Sequence, residues 1–565
     1  MVDWEEETSV LVLLLGLLLA ALYLRTNVPS FLAISESVTF VFQLMIAGTV
    51  IAILRNEAGM STFGVFGPAI LAFAWIAVGP VWGFLMIAYL FVVTAAARFA
   101  LTGLDLGTPH RVAALLVITG IAAFTVRAVG QAQPIPALNT VLLFPIILTA
   151  WYAERFVGGV SETGWAPAAR RLASTVVGVG AAAVVAGYDP LVTAVSRTPE
   201  SWVGLAALNI FLGAGTNIRL AEYLRFKHLR RTLGRDEAGG ILTMRTRNKD
   251  FISRYNPAPL MSGFTKVKMK QLLHGLDIST PETYMVVSDE AGLADFESFV
   301  DGRDQFVVKP VDGSGGRGVL VVRGHDPETG TYTTNRGDLT KAEIVSHVRN
   351  ICFSGTADYG ARSSAIVESI IKPDGLLADR VESGVPDLRV IVLQGVPIMA
   401  MVRLPTVESK GTANIHTGAV AVAVDIASGT ASGGYQQTRD SFVGSHPDTG
   451  ASLEFRIPDW DAVLETAARA SIATGFGYTG VDIVFHADEG PMVLEVNRRP
   501  GLGIQNANMD GLLHRLRFAE SQASKTKFMT AKERVHQAMA WSEQDWDPES
   551  PESEPMGSQV QEARQ

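Results

Sequence analysis

The chain has almost no cysteine: there is one in 565 residues, Cys352. This excludes an intrachain disulfide framework and any metal site built from several cysteines. No base is recognisably spaced near Cys352, so it reads as an ordinary half-buried thiol. An excess of positive charge is also missing. The formal net charge is −9, which gives no support to nucleic-acid binding. Charge of either sign is scarce from Met1 to Gly215, where Leu, Ala, Val, Ile, Phe and Gly dominate. The basic start of a secretory signal is lacking too. The first apolar run follows Trp4-Glu5-Glu6-Glu7 and more runs come after it, so no cleavable signal is expected.

What is present divides the chain. A bilayer core needs about 20 apolar residues per helix. Eight runs are candidates: Val10–Leu24, Val38–Leu54, Phe63–Val78, Val81–Ala97, Val112–Val129, Ala137–Ala153, Leu172–Val195 and Trp202–Gly215. Gly79-Pro80, between the third and fourth, is either a tight reversal or a break in one helix, which would make seven. With the N-terminus inside, the inner loops carry Arg55, Arg98, Arg111, Arg155, Arg170, Arg171, Arg219, Arg225, Lys227, Arg230 and Arg231. The outer loops carry Arg25 and Arg197. This asymmetry predicts a multi-pass protein of the inner (plasma) membrane, with its N-terminus and everything after Gly215 cytoplasmic. Arg127 and Asp189 lie inside expected spans, at similar depth and with opposite sign, and are a candidate pair.

The expected organisation is a polytopic α-helical membrane domain (1–215), a basic juxtamembrane linker (216–238) and an α+β domain (239–525). A Glu-, Pro- and Ser-rich acidic tail (543–565) is expected to be disordered. The linker's basic residues suit either anionic headgroups or a topology anchor.

In the second half, Asp304–Val311 reads as a strand ending in Lys309-Pro310. The loop Asp312–Gly318 follows, with four glycines, Gly313, Gly315, Gly316 and Gly318, and a second strand begins after it. A Walker loop or a dinucleotide fingerprint would instead lead into a helix. A glycine-rich loop between strands can close backbone N–H groups over phosphate oxygens, and Lys309 would add a point charge. Ser363–Ile371 is an apolar strand with Glu368 inside it. Pro386–Pro405 reads as strand, turn, strand, with Asp387 and Arg389 on one face and Arg403 near the end of the return. Lys410, Asn414 and His416 fall in a polar segment. Lys266, Lys268 and Lys270 lie on a short helix, and Lys266 is the one expected to reach a phosphate.

The stretch Val481–Gly503 holds two alternating strands around a polar turn. If the hairpin is centred between Asp488 and Glu489, Asp482 lies across from Glu495, and Glu495 shares a face with Asn497. Opposed carboxylates repel and are most easily kept with a cation between them. Asp, Glu and Asn are hard oxygen ligands of the kind magnesium takes.

In this order, the motifs VVKPVDGSGGRGV, DLRV, GVDIV and LEVNRRPGL resemble the ATP-grasp superfamily, in particular its alpha-L-glutamate ligase branch. The likeness runs roughly from Gly240 to Phe518. The membrane half is similar to the seven-helix domain usually fused to an inactive transglutaminase-like domain. The resemblance implies an ADP-forming carboxylate–amine ligase acting through an acyl-phosphate. Its cofactors would be ATP and magnesium, with two ions and manganese as an alternative. Lys266, Lys309, Gly313, Ser314, Gly315 and Gly316 would hold the phosphates. Glu368, Ser369, Ile370 and Asp387 would read adenine and ribose, and Asn414 would join the nucleotide set. Asp482, Glu495 and Asn497 would hold the metal. Arg389 and Arg403 would face the carboxylate or acyl-phosphate. That branch carries an arginine where this chain has Thr412, and Lys410 is the candidate replacement. Implied partners are a small-molecule or peptide carboxylate, an amine acceptor, the lipid bilayer and membrane or envelope proteins. The alternative is a transporter or sensor whose second half binds nucleotide for regulation.

Overall fold

The computed structural model describes residues 4–27, 36–101, 108–133, 135, 138, 143–163, 165–215, 220–232, 240–313, 318–353 and 363–546. Two compact units meet in sequence at Arg225–Phe226.

The first unit is helical. Its described helices are α1 (Trp4–Asn27), α2 (Glu36–Asn56), α3 (Phe66–Val78), α4 (Pro80–Ala100), α5 (Thr108–Ala132), α6 (Leu143–Thr163), α7 (Trp165–Ala186), α8 (Asp189–Arg197) and α9 (Pro199–Gly215). Among the described residues, four stretches are long and apolar enough to cross a membrane: Thr39–Asn56, Pro80–Ala100, His110–Ala132 and Ala168–Ala186. Two shorter apolar helices accompany them, Val12–Asn27 and Phe66–Val78. α7 packs on α2 and α3, and α4 packs on α6.

Gly79-Pro80 is a tight reversal. Gly79 takes a φ of 92° and Pro80 opens α4 at its first turn, where its missing N–H is no loss. The run expected as Leu172–Val195 is not one helix. It breaks after Ala186, and Asp189-Pro190 starts α8 in the same way. Arg127 and Asp189 are both exposed and make no ion pair with each other among the described residues. The pair that forms instead is on Glu154 of α6, which takes Arg98 at 2.5 Å and Arg111 at 2.7 Å. A carboxylate as buried as this one is stabilised by such partners.

The second unit contains two antiparallel sheets. The smaller has β1 (Thr283–Val287), β2 (Phe306–Pro310), β3 (Leu320–Asp326), β4 (Thr331–Thr334), β5 (Gly337–Thr340) and β6 (Ala365–Glu368), in the order β1-β6-β2-β3-β4-β5. The larger has β7 (Asp387–Leu393), β8 (Val396–Leu404), β9 (Val420–Val424), β10 (Thr430–Gln436), β11 (Ser441–Val443), β12 (Phe455–Arg456), β13 (Tyr478–His486) and β14 (Gly490–Asn497). Its order is β11-β10-β9-β8-β7-β13-β14, with β12 beside β10. β7 and β13 are buried on both faces because helix Trp460–Thr474 covers one side.

The unit's core reaches further than the composition indicates. Phe226 and Leu229 are fully buried and belong to the same core as Leu388 and Val481. The helix Lys227–Thr232, which carries Leu229 and directly follows Phe226, packs on helix Ile504–Asn508. Lys227 and His228 pair with Asp440, the histidine at 3.1 Å. The later part of the basic stretch is therefore core, and the unit begins at Phe226 rather than 239. At the other end, Val535, Ala538, Trp541 and Trp546 join the core, and Phe518 meets Trp541 edge-on at 5.2 Å. The unit thus passes 525 and includes 543–546. Residues 547–565, expected as a disordered tail, lie outside the described residues.

A fragment from Phe226 to Trp546 is expected to unfold cooperatively in urea. One from 240 to 518 loses core side chains at both ends and is expected to bind ANS as a loosely packed state. Equal urea midpoints for the two would contradict this. In the longer fragment, Leu229→Ala should destabilise by about 2–5 kcal/mol.

Candidate active site

Side chains two apart on a strand share a face, and this periodicity assembles the site. Asp387 and Arg389 of β7, Met401 and Arg403 of β8, Asp482 of β13, and Glu495 and Asn497 of β14 line one cleft of about 380 Å³. The register places Met401 opposite Arg389, Arg389 opposite Asp482, and Asp482 opposite Glu495. That is one row across four strands. The Asp482–Glu495 pairing matches the expected one, but the local geometry differs. His486 pairs with Gly490 and Ile483 with Val493, and the register then shifts. A bulge at Leu494 restores the pairing. Bulges beside functional sites re-aim side chains, and Leu494 itself lines the cleft.

The row is tightly paired. Arg389 Nε donates to Asp482 Oδ1 and its Nη2 to Oδ2, the latter at 2.7 Å. Arg403 holds Asp387 with two bonds of 2.6 and 2.5 Å and reaches Asp482 Oδ2 at 3.0 Å. Asn497 Nδ2 donates to the same oxygen at 3.0 Å. Arg389 can lie flat because residue 480 is glycine. A Cβ there would sit 2.7 Å from Pro500 Cβ and 3.0 Å from Arg389 Cδ. Burial alone raises the Asp482 carboxyl, but Arg389 and Arg403 outweigh it and hold it below the usual range. Asp387 is pushed up to about 6 by burial, against the pull of Arg403.

Helix Lys266–His274 and the smaller sheet form the opposite wall. Thr265 caps the helix by accepting from Lys268 N–H. Lys266 and Lys270 are four apart and share a helix face, and both line the cleft, while Lys268 is exposed. Val307 pairs with Glu368, so Lys309, two residues on, shares its face. Lys309 meets Glu368 at 2.7 Å, and Lys270 meets it at 2.5 Å from the other side. Burial raises the Glu368 carboxyl, but Lys309 and Lys270 together hold it below the usual range. Burial lowers Lys270 below its ordinary value, against the pull of Glu368. Lys266 Nζ donates to Gly313 O at 2.7 Å.

Of the residues expected to form the site, Lys266, Lys309, Glu368, Asp387, Arg389, Arg403, Asn414, Asp482, Glu495 and Asn497 all line this cleft. Gly313 lies just outside it. The Ser369 N–H is committed to Glu282 O at 2.9 Å, and neither Ser369 nor Ile370 lines the cleft. Ser314, Gly315 and Gly316 lie outside the described residues. Lys410 is not in the wall. It sits exposed at a φ of 54° in a turn closed by its N–H on Val407 O, and Thr412 to His416 line the cleft in its place. Sequence reasoning passed over Lys270, whose signal is its i+4 spacing from Lys266.

The oxygen donors suit a divalent cation. Asp482 Oδ1 accepts from Arg389 and keeps a lone pair. Glu495 opens on the cleft and makes no ion pair among the described residues. Asn497 spends its amide nitrogen on Asp482, and among the described residues its oxygen, the atom a cation would take, has no hydrogen bond.

Residues 246–521 match the sequence model of the sugar-transfer associated ATP-grasp family. Residues 28–230 match that of the seven transmembrane helices usually fused to an inactive transglutaminase. The second half of the chain thus carries an ATP-grasp domain, and the stretch ahead of it matches a seven-helix membrane domain. No curated protein matches it. Among solved structures, the ATP-grasp ligase PsnB with precursor peptide PsnA2 and AMPPNP is 17% identical, with TM-score 0.27, covering 48% of this chain and 62% of that one. The D-cycloserine synthetase DcsG is 18% identical, with TM-score 0.28, over 48% of this chain and 72% of that one. The D-alanine–D-alanine ligase of Bacillus anthracis with ATP is 15% identical, with TM-score 0.24, over 50% and 65%. The chain therefore spans less than two thirds of the length of PsnB.

Glu368→Gln tests the lysine pair. A carboxyl held below its unfolded value of about 4.3 contributes stability that is full above that pH and lost as pH falls through its folded value. Urea unfolding from pH 7 to pH 3 should show the variant weaker at pH 7 by about 3–5 kcal/mol, with a flatter acid limb. An unchanged acid limb would rule the pairing out.

Proposed function

We propose that the protein is a membrane-anchored, ATP-dependent carboxylate–amine ligase that releases ADP. The observation that carries this reading is the meeting, in one cleft, of the Asp482–Glu495–Asn497 oxygen set with three lysines and two arginines. Lys266, Lys270 and Lys309 attract the nucleotide phosphates. Glu368 orients Lys270 and Lys309, and with Asp387 it can accept from adenine or ribose. Asp482, Glu495 and Asn497 would hold magnesium, which neutralises charge on the transferring phosphoryl group.

Arg389 and Arg403 have their Nε and Nη2 atoms on Asp482 and Asp387, and their Nη1 groups are the donors for the substrate carboxylate. A carboxylate oxygen attacks the γ-phosphorus, an acyl-phosphate forms and ADP leaves. The amine then attacks the carbonyl carbon, inorganic phosphate leaves, the amine gives up a proton and an amide remains. The chain's part is to hold the reactants in line and exclude water. The family description connects the domain with sugar transfer, so amino sugars and sugar acids are reasonable substrates beside glutamate and peptides.

The test is ADP release from the full-length protein with a panel of carboxylates and amines. Release that requires both substrates supports the ligase. Nucleotide binding without it would favour the transporter or sensor. Glu495→Gln and Asp482→Asn are each expected to lower turnover at least about 100-fold, since each removes an anionic ligand from a hard-cation site. Lys309→Ala should mainly raise the ATP requirement. The same reading puts the ATP-grasp domain in the cytoplasm, so a reporter fused after Gln565 should be active there and resist protease added outside intact cells.

A further inference from the structure

One side chain outside the catalytic face is held in a single state by two independent contacts. His347 is on helix Lys341–Phe353 and half-buried. Its Nε2 lies 2.9 Å from Gly318 O, and its Nδ1 lies 3.4 Å from Arg336 Nη1. A carbonyl oxygen only accepts, so Nε2 carries the proton. A guanidinium only donates, so Nδ1 is bare. One neutral tautomer satisfies both. Burial and the Arg336 charge push His347 down to about 4, against the pull of the Gly318 carbonyl.

The residues held this way sit where the chain leaves the glycine-rich stretch. Arg336 Nη2 also donates to Val319 O at 3.4 Å. Asn335 Oδ1 accepts from Val321 N–H at 2.9 Å. Gly318 takes a φ of +72°, and a Cβ there would come within 2.6 Å of Pro310 Cγ. Pro310 follows Lys309. Val319 lines the cleft on the lysine side.

We propose that His347 is a positioning residue for the nucleotide. Its N–H on the Gly318 carbonyl locks Val319 and the start of β3 against Pro310 and Lys309, which sets the nucleotide wall of the cleft. It acts through the backbone and touches no reacting group. The proposal rests on reading the cleft as a nucleotide site.

The experiment uses the full-length protein in detergent micelles, with mant-ATP and magnesium as the probe. The dissociation constant is measured beside the melting temperature without nucleotide. His347→Ala should raise the dissociation constant about 5- to 10-fold, the worth of one hydrogen bond, and leave the melting temperature close to wild type. His347→Gln, whose side-chain amide can donate to Gly318 O, should recover most of the affinity. Wild-type affinity in His347→Ala overturns the proposal. So does a loss that tracks a fall in melting temperature and is not rescued by Gln, since that marks a merely structural role. A wild-type protein that binds no mant-ATP would overturn the cleft reading itself, and the role of His347 with it.

Discussion

Asp482 is the group on which the rest of the cleft depends. A carboxylate this buried is stable only if charged and hydrogen-bonding partners replace its water. Three partners do so: Arg389, Arg403 and Asn497. Each requirement then passes outward. Arg389 needs space over β13, which Gly480 provides. Arg403 is held on its other side by Asp387. Asp482 and Asp387 formally balance the two guanidiniums, so Glu495 is the surplus negative charge on this wall. Across the cleft, Lys266, Lys270 and Lys309 face Glu368 alone, which leaves a surplus of positive charge. A polyphosphate carrying a hard cation has the complementary polarity, with phosphates toward the lysines and cation toward Glu495.

The strand face of the cleft was legible in the sequence because a strand has the simplest periodicity in a protein. Alternation alone puts Asp387 beside Arg389 and Glu495 beside Asn497. The cross-strand partner of Asp482 was also legible, although by a different route. A regular hairpin and a shorter turn followed by a bulge at Leu494 give the same pairing, and alternation cannot tell them apart. Lys270 was harder to see. Three lysines in five residues look like a solvated basic face, and only the helical period separates Lys266 and Lys270 from the exposed Lys268. Lys410 shows the opposite failure. A charge near Asn414 in sequence was read as a charge in the cleft, but a left-handed turn residue carries it outside the wall.

Hydropathy has its own limits. It averages over a window, so the apolar run from Leu172 to Val195 looks continuous. The break is made by backbone chemistry, with a proline whose nitrogen cannot donate sitting where a second helix can start. Composition likewise hid the beginning of the ATP-grasp unit. In Phe226–Thr232 five of seven side chains are His, Lys, Arg or Thr, and the segment reads as a solvated tether. Yet Phe226 and Leu229 are three apart, one helical face, and both are fully buried.

That short helix bears on more than stability. Lys227 and His228 hold Asp440, and Tyr435 donates to the same carboxylate at 2.9 Å. Asp440 closes the turn between β10 and β11. The same turn carries Gln437, whose side-chain amide meets His416 at 3.1 Å, and His416 lines the cleft. The segment through which the chain enters this unit is therefore joined to the cleft wall by a short, unbroken series of contacts. They arrive on the side of Thr412, Asn414 and His416 and not at the lysines. A change in that helix would act first on the wall away from Lys266, Lys270 and Lys309, because these lysines are fixed independently by Glu368 and by the carbonyl of Gly313.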